Sequence, residues 1–333
     1  MARFGVRLEN DPNLSPQDYQ EMASKAEANG FDAVWVPEGG GRDSLTSLAT
    51  MAMKTEQVKL GTGILPIFAR TPTNTAMGAA GMAAVSDGRF MLGLGVGHAP
   101  TVESRDGIPF KRPMTRMRET IQIVKALLAG EEVNFLGKQF KVTGASMGPA
   151  TPKSKVPIYI AALGPQMLEM VGEMADGVLM NWTAVDYLEE AIGHIKRGAE
   201  KADRNFNEID ISGYVRVAVG GDVSASRDSL RRQVARYASN PFYRNFFAET
   251  GFDKEMSAAA AALAEGNVDK ASDSITDEMQ DQVAIVGTAD ECRTALEKRR
   301  AAGLHMPVIA PFAVGDNKTS HLHVIDALAP KSP

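Results

Sequence analysis

Three side chains that can donate or accept protons directly follow apolar, strand-like segments of the sequence. Glu9 follows RFGVRL, Glu38 follows FDAVWVP and His98 follows RFMLGLGVG. A carboxylate or an imidazole at a strand end can act as a general acid or base, or can hold a polar ligand. Each has an alternative role, because a surface carboxylate can simply face solvent and a single histidine can be structural. We therefore treat Glu9, Glu38 and His98 as candidate catalytic residues.

The segment KLGTGILPIFARTP (59–72) combines a strand-like start with an apolar continuation. Gly61 and Gly63 flank Thr62, and Ile64 begins an apolar run where a loop would normally be polar. Glycines at a strand end let a flat ligand approach the backbone closely, whereas the alternative is a strand that ends in a turn. The apolar continuation favours a wall that binds a planar ring, formed by these four residues.

Two further glycine-containing segments follow predicted strands. GLGVGH (93–98) includes Gly97 and His98, and its Gly-x-Gly-x-Gly spacing differs from the dinucleotide-binding fingerprint. Because alternate residues share one strand face, we expect a space without side chains inside the fold beside these glycines. ALGPQM (162–167) places a glycine before a predicted helix, where free backbone N–H groups can bind phosphate, although a plain connection is the alternative. The candidate cofactor-binding residues of this segment are Ala162, Leu163, Gly164 and Pro165.

Other classes of function find no support in the sequence. Lys and Arg number 36 against 41 Asp and Glu, and no basic block stands out, which argues against nucleic acid or a membrane surface as a partner. The single cysteine, Cys292, excludes an internal disulfide framework, and the five histidines form no metal-ligand pattern. Neither a Gly-x-Ser-x-Gly nor a His-Glu-x-x-His motif occurs. Without a recognisable signal peptide or membrane-spanning run, we expect a cytoplasmic protein that acts on a small molecule.

The elements that would position these residues alternate between strand and helix along the chain, which predicts parallel strands with helices outside. Eight such units in 333 residues fit an α/β fold of the (β/α)8 TIM-barrel type. We expect a single domain over 1–333, with insertions at about 131–156 and 240–282. An open, doubly wound sheet is the alternative, but the first strand–helix turn, LENDPNLSP, lacks its phosphate-binding glycines. The predicted strands cover residues 3–9, 31–38, 58–64, 89–97, 157–163, 177–182, 209–220 and 305–312.

A barrel of this kind has its active site at the carboxyl ends of the strands. Position alone therefore adds several residues to the candidate site, whatever their motif. These residues are Arg7, Gly39, Gly40, Asn181, Trp182, Arg216 and 310–312. Among them we count Gly39 and Asn181 as candidate cofactor-binding residues.

The chain resembles the luciferase-like monooxygenase superfamily in five segments and in their order. More narrowly, it resembles the branch that uses the deazaflavin coenzyme F420, which includes the methylenetetrahydromethanopterin reductases. The segments are AEANGFDAVWVPE, TEQVKLGTGILPIFARTP, SDGRFMLGLGVG, PIYIAALGPQMLEMVGEMADGVL and VAIVGTADECRTALEKRRAAGLHMPVIAPF.

The resemblance implies a (β/α)8 barrel with insertions that forms a homodimer. It implies F420 as the cofactor and hydride transfer between this coenzyme and a small organic substrate. It also implies a non-proline cis peptide bond at Gly63–Ile64, against the deazaflavin ring, and a phosphate site at the turn of Gly164. One alternative is an FMN-dependent monooxygenase that uses reduced flavin and oxygen. A second alternative is a barrel that binds a ligand without catalysis.

The chain departs from the family pattern at three places. Many relatives have Asp-His after the second strand, whereas this chain has Glu38 and Gly39 and lacks that histidine. Arg7 stands where the methanopterin reductases carry a glutamate, and Glu9 follows two residues later. Gln166 takes the place of a lysine that some relatives have. We therefore do not expect the substrate of any one relative to apply to this chain.

Overall fold

A computed structural model of the chain describes residues 3–39, 41–312 and 315–330, so that Gly40 lies outside the described residues. The strands are β1 Gly5–Arg7, β2 Ala33–Val36, β3 Lys59–Thr62, β4 Leu65–Pro66, β5 Phe90–Gly95, β6 Val133–Leu136, β7 Lys141–Ala145, β8 Ile158–Ile160, β9 Gly177–Asn181, β10 Asp210–Val219, β11 Ala284–Gly287 and β12 Met306–Pro311. The helices are α1 Pro16–Ala28, α2 Ser44–Ala52, α3 Pro72–Val85, α4 Ala99–Ser104, α5 Pro113–Leu128, α6 Pro165–Met174, α7 Leu188–Lys201, α8 Val223–Arg236, α9 Pro241–Phe247, α10 Asp253–Ala264, α11 Val268–Asp273, α12 Asp277–Val283, α13 Ala289–Ala301 and α14 Asn317–Ala327.

Eight parallel strands close into a barrel. Around the barrel the order is β1, β2, β3, β5, β8, β9, β10 and β12, and β12 pairs back with β1. In β10, Tyr214 pairs with Asn181 of β9 on one side and with Val308 of β12 on the other. The prediction of a (β/α)8 TIM barrel is confirmed, and each barrel strand lies within the segment predicted for it.

Local sequence signals explain where the first helix begins and ends. Ser15 caps α1 by accepting from the backbone N–H of Asp18, whose side chain accepts from the Ser15 backbone in return. Pro16 occupies the first turn, where its missing N–H costs nothing. The chain leaves the helix at Gly30, which has a positive φ of 82° that favours glycine. The Ser15, Pro16 and Gly30 signals were readable from the sequence.

The barrel interior is filled by large side chains that point inward from its strands, so the barrel is a packed core and has no pore. The inner cluster consists of Ala33, Trp35, Met91, Tyr159, Leu179, Tyr214, Met306, Val308 and Ala310, with Ile64 packed against it. A second and larger apolar core lies between the outer faces of the strands and the surrounding helices.

The two segments predicted as insertions contain regular structure. The hairpin β6–β7 lies within 131–156 and is antiparallel. Helices α9 to α12 occupy most of 240–282. Strand β11 follows them and pairs with the carboxyl half of β10, from Arg216 to Val219. The sequence predicted none of the four short strands β4, β6, β7 and β11.

Candidate functional site

The carboxyl end of the barrel carries a bulge that follows β3. The Gly63–Ile64 peptide bond is cis, as the family resemblance implied. After it the chain continues as β4, where Leu65 pairs with Leu94 of β5. The carbonyl of Ile64 accepts a hydrogen bond from the backbone N–H of Glu38 at 3.2 Å. Ile64 itself is half-buried and stands on top of the inner cluster.

The two glycines of this bulge make room for protein groups on the side where a Cβ atom would lie. A Cβ atom on Gly61 would lie 2.4 Å from the Trp35 ring. A Cβ atom on Gly63 would lie 1.7 Å from the hydroxyl of Tyr214, which donates a hydrogen bond to the Gly63 carbonyl at 2.8 Å. Thr62 is completely buried. Gly61, Thr62 and Gly63 therefore support the bulge from below, and of the four predicted wall residues only Ile64 is partly exposed.

The glycine-rich face of β5 is occupied as well, so the predicted empty space is wrong. A Cβ atom on Gly93 would lie 1.9 Å from the Thr62 carbonyl oxygen, and one on Gly95 would lie 2.6 Å from the Ile64 side chain. The Thr62 hydroxyl donates to the Gly93 carbonyl and accepts from the Gly93 N–H, both at 2.9 Å. The glycines of β5 therefore create the space into which the β3 bulge packs.

Glu38 lies beside the bulge, but both of its carboxylate oxygens are engaged. Its Oε2 accepts from the backbone N–H and the hydroxyl of Ser44, each at 2.7 Å, at the start of α2. Its Oε1 lies 3.4 Å from the Arg70 guanidinium. The carboxylate thus anchors α2 and Arg70, which speaks against the predicted role in proton transfer.

Glu9 is paired with Arg7 across the face they share on the first strand. The Arg7 guanidinium contacts both carboxylate oxygens of Glu9, with Nη2 at 3.0 Å from Oε1. Burial would raise the pKa of Glu9, but the charge and hydrogen bond of Arg7 outweigh it and lower that pKa. Burial would lower the pKa of Arg7, but the charge and hydrogen bond of Glu9 outweigh it and raise that pKa. Glu9 is therefore an ionised partner of a cation and a poor proton donor.

Arg7, Asn181 and Arg216 face the inside of the barrel at its carboxyl end. Alternate residues of a strand share a face. Arg216 follows Tyr214 by two positions and Asn181 follows Leu179 by two, and both Tyr214 and Leu179 belong to the inner cluster. These polar side chains therefore form the layer above the apolar interior, as expected from their strand positions.

An aromatic segment that leads into the second insertion covers this polar layer. The Asn181 side chain donates to the Tyr243 hydroxyl at 2.7 Å, and the Tyr237 and Tyr243 rings pack 4.6 Å apart. The Arg216 guanidinium lies over the Trp182 ring, 3.8 Å from its centroid. Neither Tyr237 nor Tyr243 was a candidate from the sequence. The aromatic density of YASNPFYRNFF (237–247) was the signal that could have identified them.

His98 reaches the same aromatic group from the end of β5. Its ring lies 5.5 Å from the Tyr243 ring, centroid to centroid. Within the described part of the chain, its imidazole nitrogens make no hydrogen bond, and burial lowers its pKa. Gly97, just before it, has a positive φ of 70° and is half-buried. Among the three catalytic candidates, His98 has the side chain that is free to bond a ligand.

The predicted phosphate turn forms the start of α6. Gly164 is the residue before the helix, no side chain caps it, and a Cβ atom there would meet nothing within 4 Å. Pro165 is exposed, whereas Ala162 and Leu163 are buried and support the turn from below. Gly39, after β2, is half-buried and also has open space where a Cβ would lie.

The opposite, amino-terminal end of the barrel holds a cavity of about 250 Å³. Its two acidic lining residues are already satisfied by the protein. Glu27 accepts from the backbone N–H groups of Gln57 and Val58, and Asp32 accepts from that of Phe4. This end stabilises the barrel, which agrees with the placement of the functional site at the carboxyl end.

No group of His, Cys, Asp and Glu in 3–39, 41–312 and 315–330 is arranged to hold a metal ion. Across the same residues, every helix is too short or too polar to traverse a bilayer.

Comparison with known proteins extends these observations. A family model described as luciferase-like monooxygenase matches residues 1–306. The chain is 33% identical over 327 residues to 5,10-methylenetetrahydromethanopterin reductase of Methanolobus tindarius, covering 97% of this chain and 98% of the relative. It is 31% identical over 328 residues to the reductase of the same name from Archaeoglobus fulgidus, covering 97% of each. The structure of a coenzyme F420-dependent tetrahydromethanopterin reductase from Methanopyrus kandleri matches with a TM-score of 0.84 and 26% identity, over 98% of both chains.

Proposed function

The chain belongs to the luciferase-like monooxygenase family, and from that premise we propose that it is a coenzyme F420-dependent oxidoreductase. It would transfer a hydride between the deazaflavin and a small organic substrate. The observation that carries the proposal is the match over 98% of the chain to a reductase named for its dependence on F420. The family is described by its monooxygenases, so FMN is the cofactor to be excluded.

The residues at the carboxyl end suit a coenzyme with a flat ring and a phosphate. Ile64 offers an apolar, partly exposed side chain on the bulge, against which a ring can pack. The uncapped start of α6 at Gly164 offers backbone N–H groups and the positive end of the helix dipole to a phosphate. The bound coenzyme would supply the hydride chemistry, and the protein would supply binding and orientation.

The protein's own residues divide the remaining tasks. His98, neutral at neutral pH because burial lowers its pKa, would hold or accept a proton at an imidazole nitrogen. Tyr237 and Tyr243 cover the polar layer and would exclude water from it. Gly39, Gly97 and Asn181 would border the coenzyme, and Glu9 and Glu38 would act through Arg7 and α2.

A titration tests the cofactor directly. We expect the purified protein to bind F420 in the micromolar range or tighter, measured by coenzyme fluorescence, and FMN at least about tenfold more weakly. Ile64→Asn should weaken F420 binding by about tenfold, because it places a polar amide against the ring. Leu136→Asn, on the antiparallel hairpin outside the barrel and 81% exposed, is the matched control.

The other outcomes separate the alternatives. Binding of FMN alone, with oxygen consumption when reduced flavin is supplied, would make the protein a monooxygenase. Failure to bind either cofactor would refute the proposal.

Replacement of His98 by Gln should leave F420 affinity unchanged and lower turnover by about a hundredfold, the usual contribution of a general acid or base.

A further inference from the structure

Arg216 is a buried cation that points into the barrel mouth. Arg216 is 8% exposed and lies one layer above Tyr214 on the inner face of β10. Burying a guanidinium is costly unless it is paired with a carboxylate or fully hydrogen-bonded. The partners of this residue therefore indicate whether the protein alone satisfies it.

The protein supplies Arg216 with one hydrogen-bond acceptor and one aromatic face. Its Nη1 donates to the Asn181 side-chain oxygen, and its guanidinium stacks on Trp182. Among the residues that the structure describes, no carboxylate lies within 4 Å of it. A guanidinium has five N–H donors in a planar fork, so most of its donor capacity is free for another group.

Glu9, a carboxylate whose charge acts on Arg216, is not available as its counter-ion. Both of its oxygens contact Arg7, so the polar layer holds two cations and one anion. Tyr214, Tyr237 and Tyr243 also lie close to Arg216, and phenols are uncharged at neutral pH. Burial lowers the pKa of Arg216 to about 10, which still leaves it charged at neutral pH. One positive charge in the mouth of the barrel is therefore uncompensated by the protein.

We propose that Arg216 binds an anionic oxygen group at the mouth of the barrel, and that this selects substrates bearing a carboxylate. A carboxylate matches the planar fork of a guanidinium in a bidentate pair. The inference rests on the proposed function for the identity of the reaction, although the anion site itself does not require F420. The same chemistry could come from an acidic group of the coenzyme, and the experiments separate the two sources.

The first experiment uses the cofactor-free protein, with benzoate and its neutral analogue benzamide as probes in calorimetric titrations. We expect benzoate to bind at least about tenfold more tightly than benzamide, since the pair differs in charge at similar shape. Arg216→Gln should abolish this preference. Arg232→Gln should retain it, because Arg232 is a surface residue paired with Asp269 on the outside of the barrel. Equal binding of both probes to the unaltered protein would overturn the proposal.

A second measurement guards against a misfolded variant. If Arg216 lacks a counter-ion, Arg216→Met should leave the melting temperature of the ligand-free protein unchanged or raise it. A fall of more than about 3 °C would show that Arg216 is a structural group and would overturn the proposal. Arg232→Met again serves as the surface control.

F420 titrations then identify the source of the anion. If Arg216→Gln binds F420 as the unaltered protein does, and benzoate binds in the presence of F420, the anion belongs to the substrate as proposed. If the variant loses F420 affinity about tenfold and F420 displaces benzoate, the anion site holds but belongs to the coenzyme, and carboxylate selection is overturned. If F420 does not bind the unaltered protein, the proposed function fails while the benzoate result still tests Arg216.

Discussion

Replacement of Gly63 by alanine tests whether the bulge is held from inside the barrel. A Cβ atom at this position would lie 1.7 Å from the Tyr214 hydroxyl oxygen, 3.0 Å from its Cζ and 3.4 Å from a methyl group of Leu179. The first distance is far below van der Waals contact, whereas the second requires a shift of only a few tenths of an ångström. The hydroxyl of Tyr214 is therefore the group that forbids a side chain at position 63.

These distances set the expected energies. Overpacking of this kind costs about 3 kcal/mol, so Gly63→Ala should lower the free energy of unfolding by that amount. Tyr214→Phe removes the hydrogen bond to the Gly63 carbonyl and should cost about 1.5 kcal/mol. In the double variant the hydroxyl is absent, and the alanine should cost only about 1 kcal/mol more. The two changes should thus be non-additive by about 2 kcal/mol, in the favourable direction.

Urea unfolding of the four proteins measures this coupling. Gly81→Ala is the matched control, since Gly81 is exposed on α3 with nothing within 4 Å of a Cβ, and alanine there should stabilise the helix by about 0.5–1 kcal/mol. A coupling below about 0.5 kcal/mol would refute the argument, because it would mean that Tyr214 does not determine the glycine. Valine at position 63 would meet the same hydroxyl, so it would perturb the barrel core whether or not a ligand binds.

Three other changes probe the remaining contacts. Burial would raise the pKa of Asp210, but contacts with His305, Arg3 and Tyr159 lower it from 3.8 to about 2. The ionised Asp210 therefore stabilises the folded protein fully above pH 3.8, and this stabilisation is lost as the pH falls through 2. Asp210→Asn should therefore lower the free energy of unfolding at pH 7 by about 2 kcal/mol and flatten its pH dependence between those values, as pH-dependent urea unfolding would show. Glu38→Gln should cost about 1 kcal/mol of stability through Ser44 and change turnover by less than about twofold, and a large loss of turnover at unchanged stability would return Glu38 to the catalytic residues. For the homodimer, which stays a prediction, two exposed apolar side chains offer a surface: Met53, directly after α2, and Met77 on α3. Met77→Lys should shift the sedimentation coefficient towards that of a monomer, whereas Leu136→Lys should not.

The barrel was readable from the sequence because each of its strands is buried and followed by a helix. Strands such as FMLGLG and GVLMN are almost continuous in apolar and small residues, as expected for strands covered on both sides. The strands that were not predicted from the sequence are short or exposed. The hairpin β6–β7 is largely exposed, so it has no clear burial pattern, and β11 has only four residues directly after a helix. Short or exposed strands are specified by their pairing partners, which the local sequence does not contain.

The site was predictable in position and less so in the role of each residue. Strand order alone placed Arg7, Asn181 and Arg216 at the mouth, and the structure brings them together there. The glycines show the limit of such reasoning, because a glycine indicates room without showing which group occupies it. Gly63 accommodates Tyr214, a residue 151 positions away in the chain. Contacts of this range become visible only when the barrel is closed.

The charge at the mouth of the barrel also bears on how far the relatives can guide a search for the substrate. Arg7 places an inward cation on the first strand, where the resemblance to the methanopterin reductases leads us to expect a glutamate. Glu9, two residues on and therefore on the same face, compensates Arg7 but lies farther out, with 43% of its side chain exposed. Arg216 then remains without a counter-ion in a site of low dielectric, where an unpaired charge acts strongly on any ligand. A site with this balance binds an organic acid better than a neutral molecule of the same shape, and the search for the substrate should begin with carboxylates.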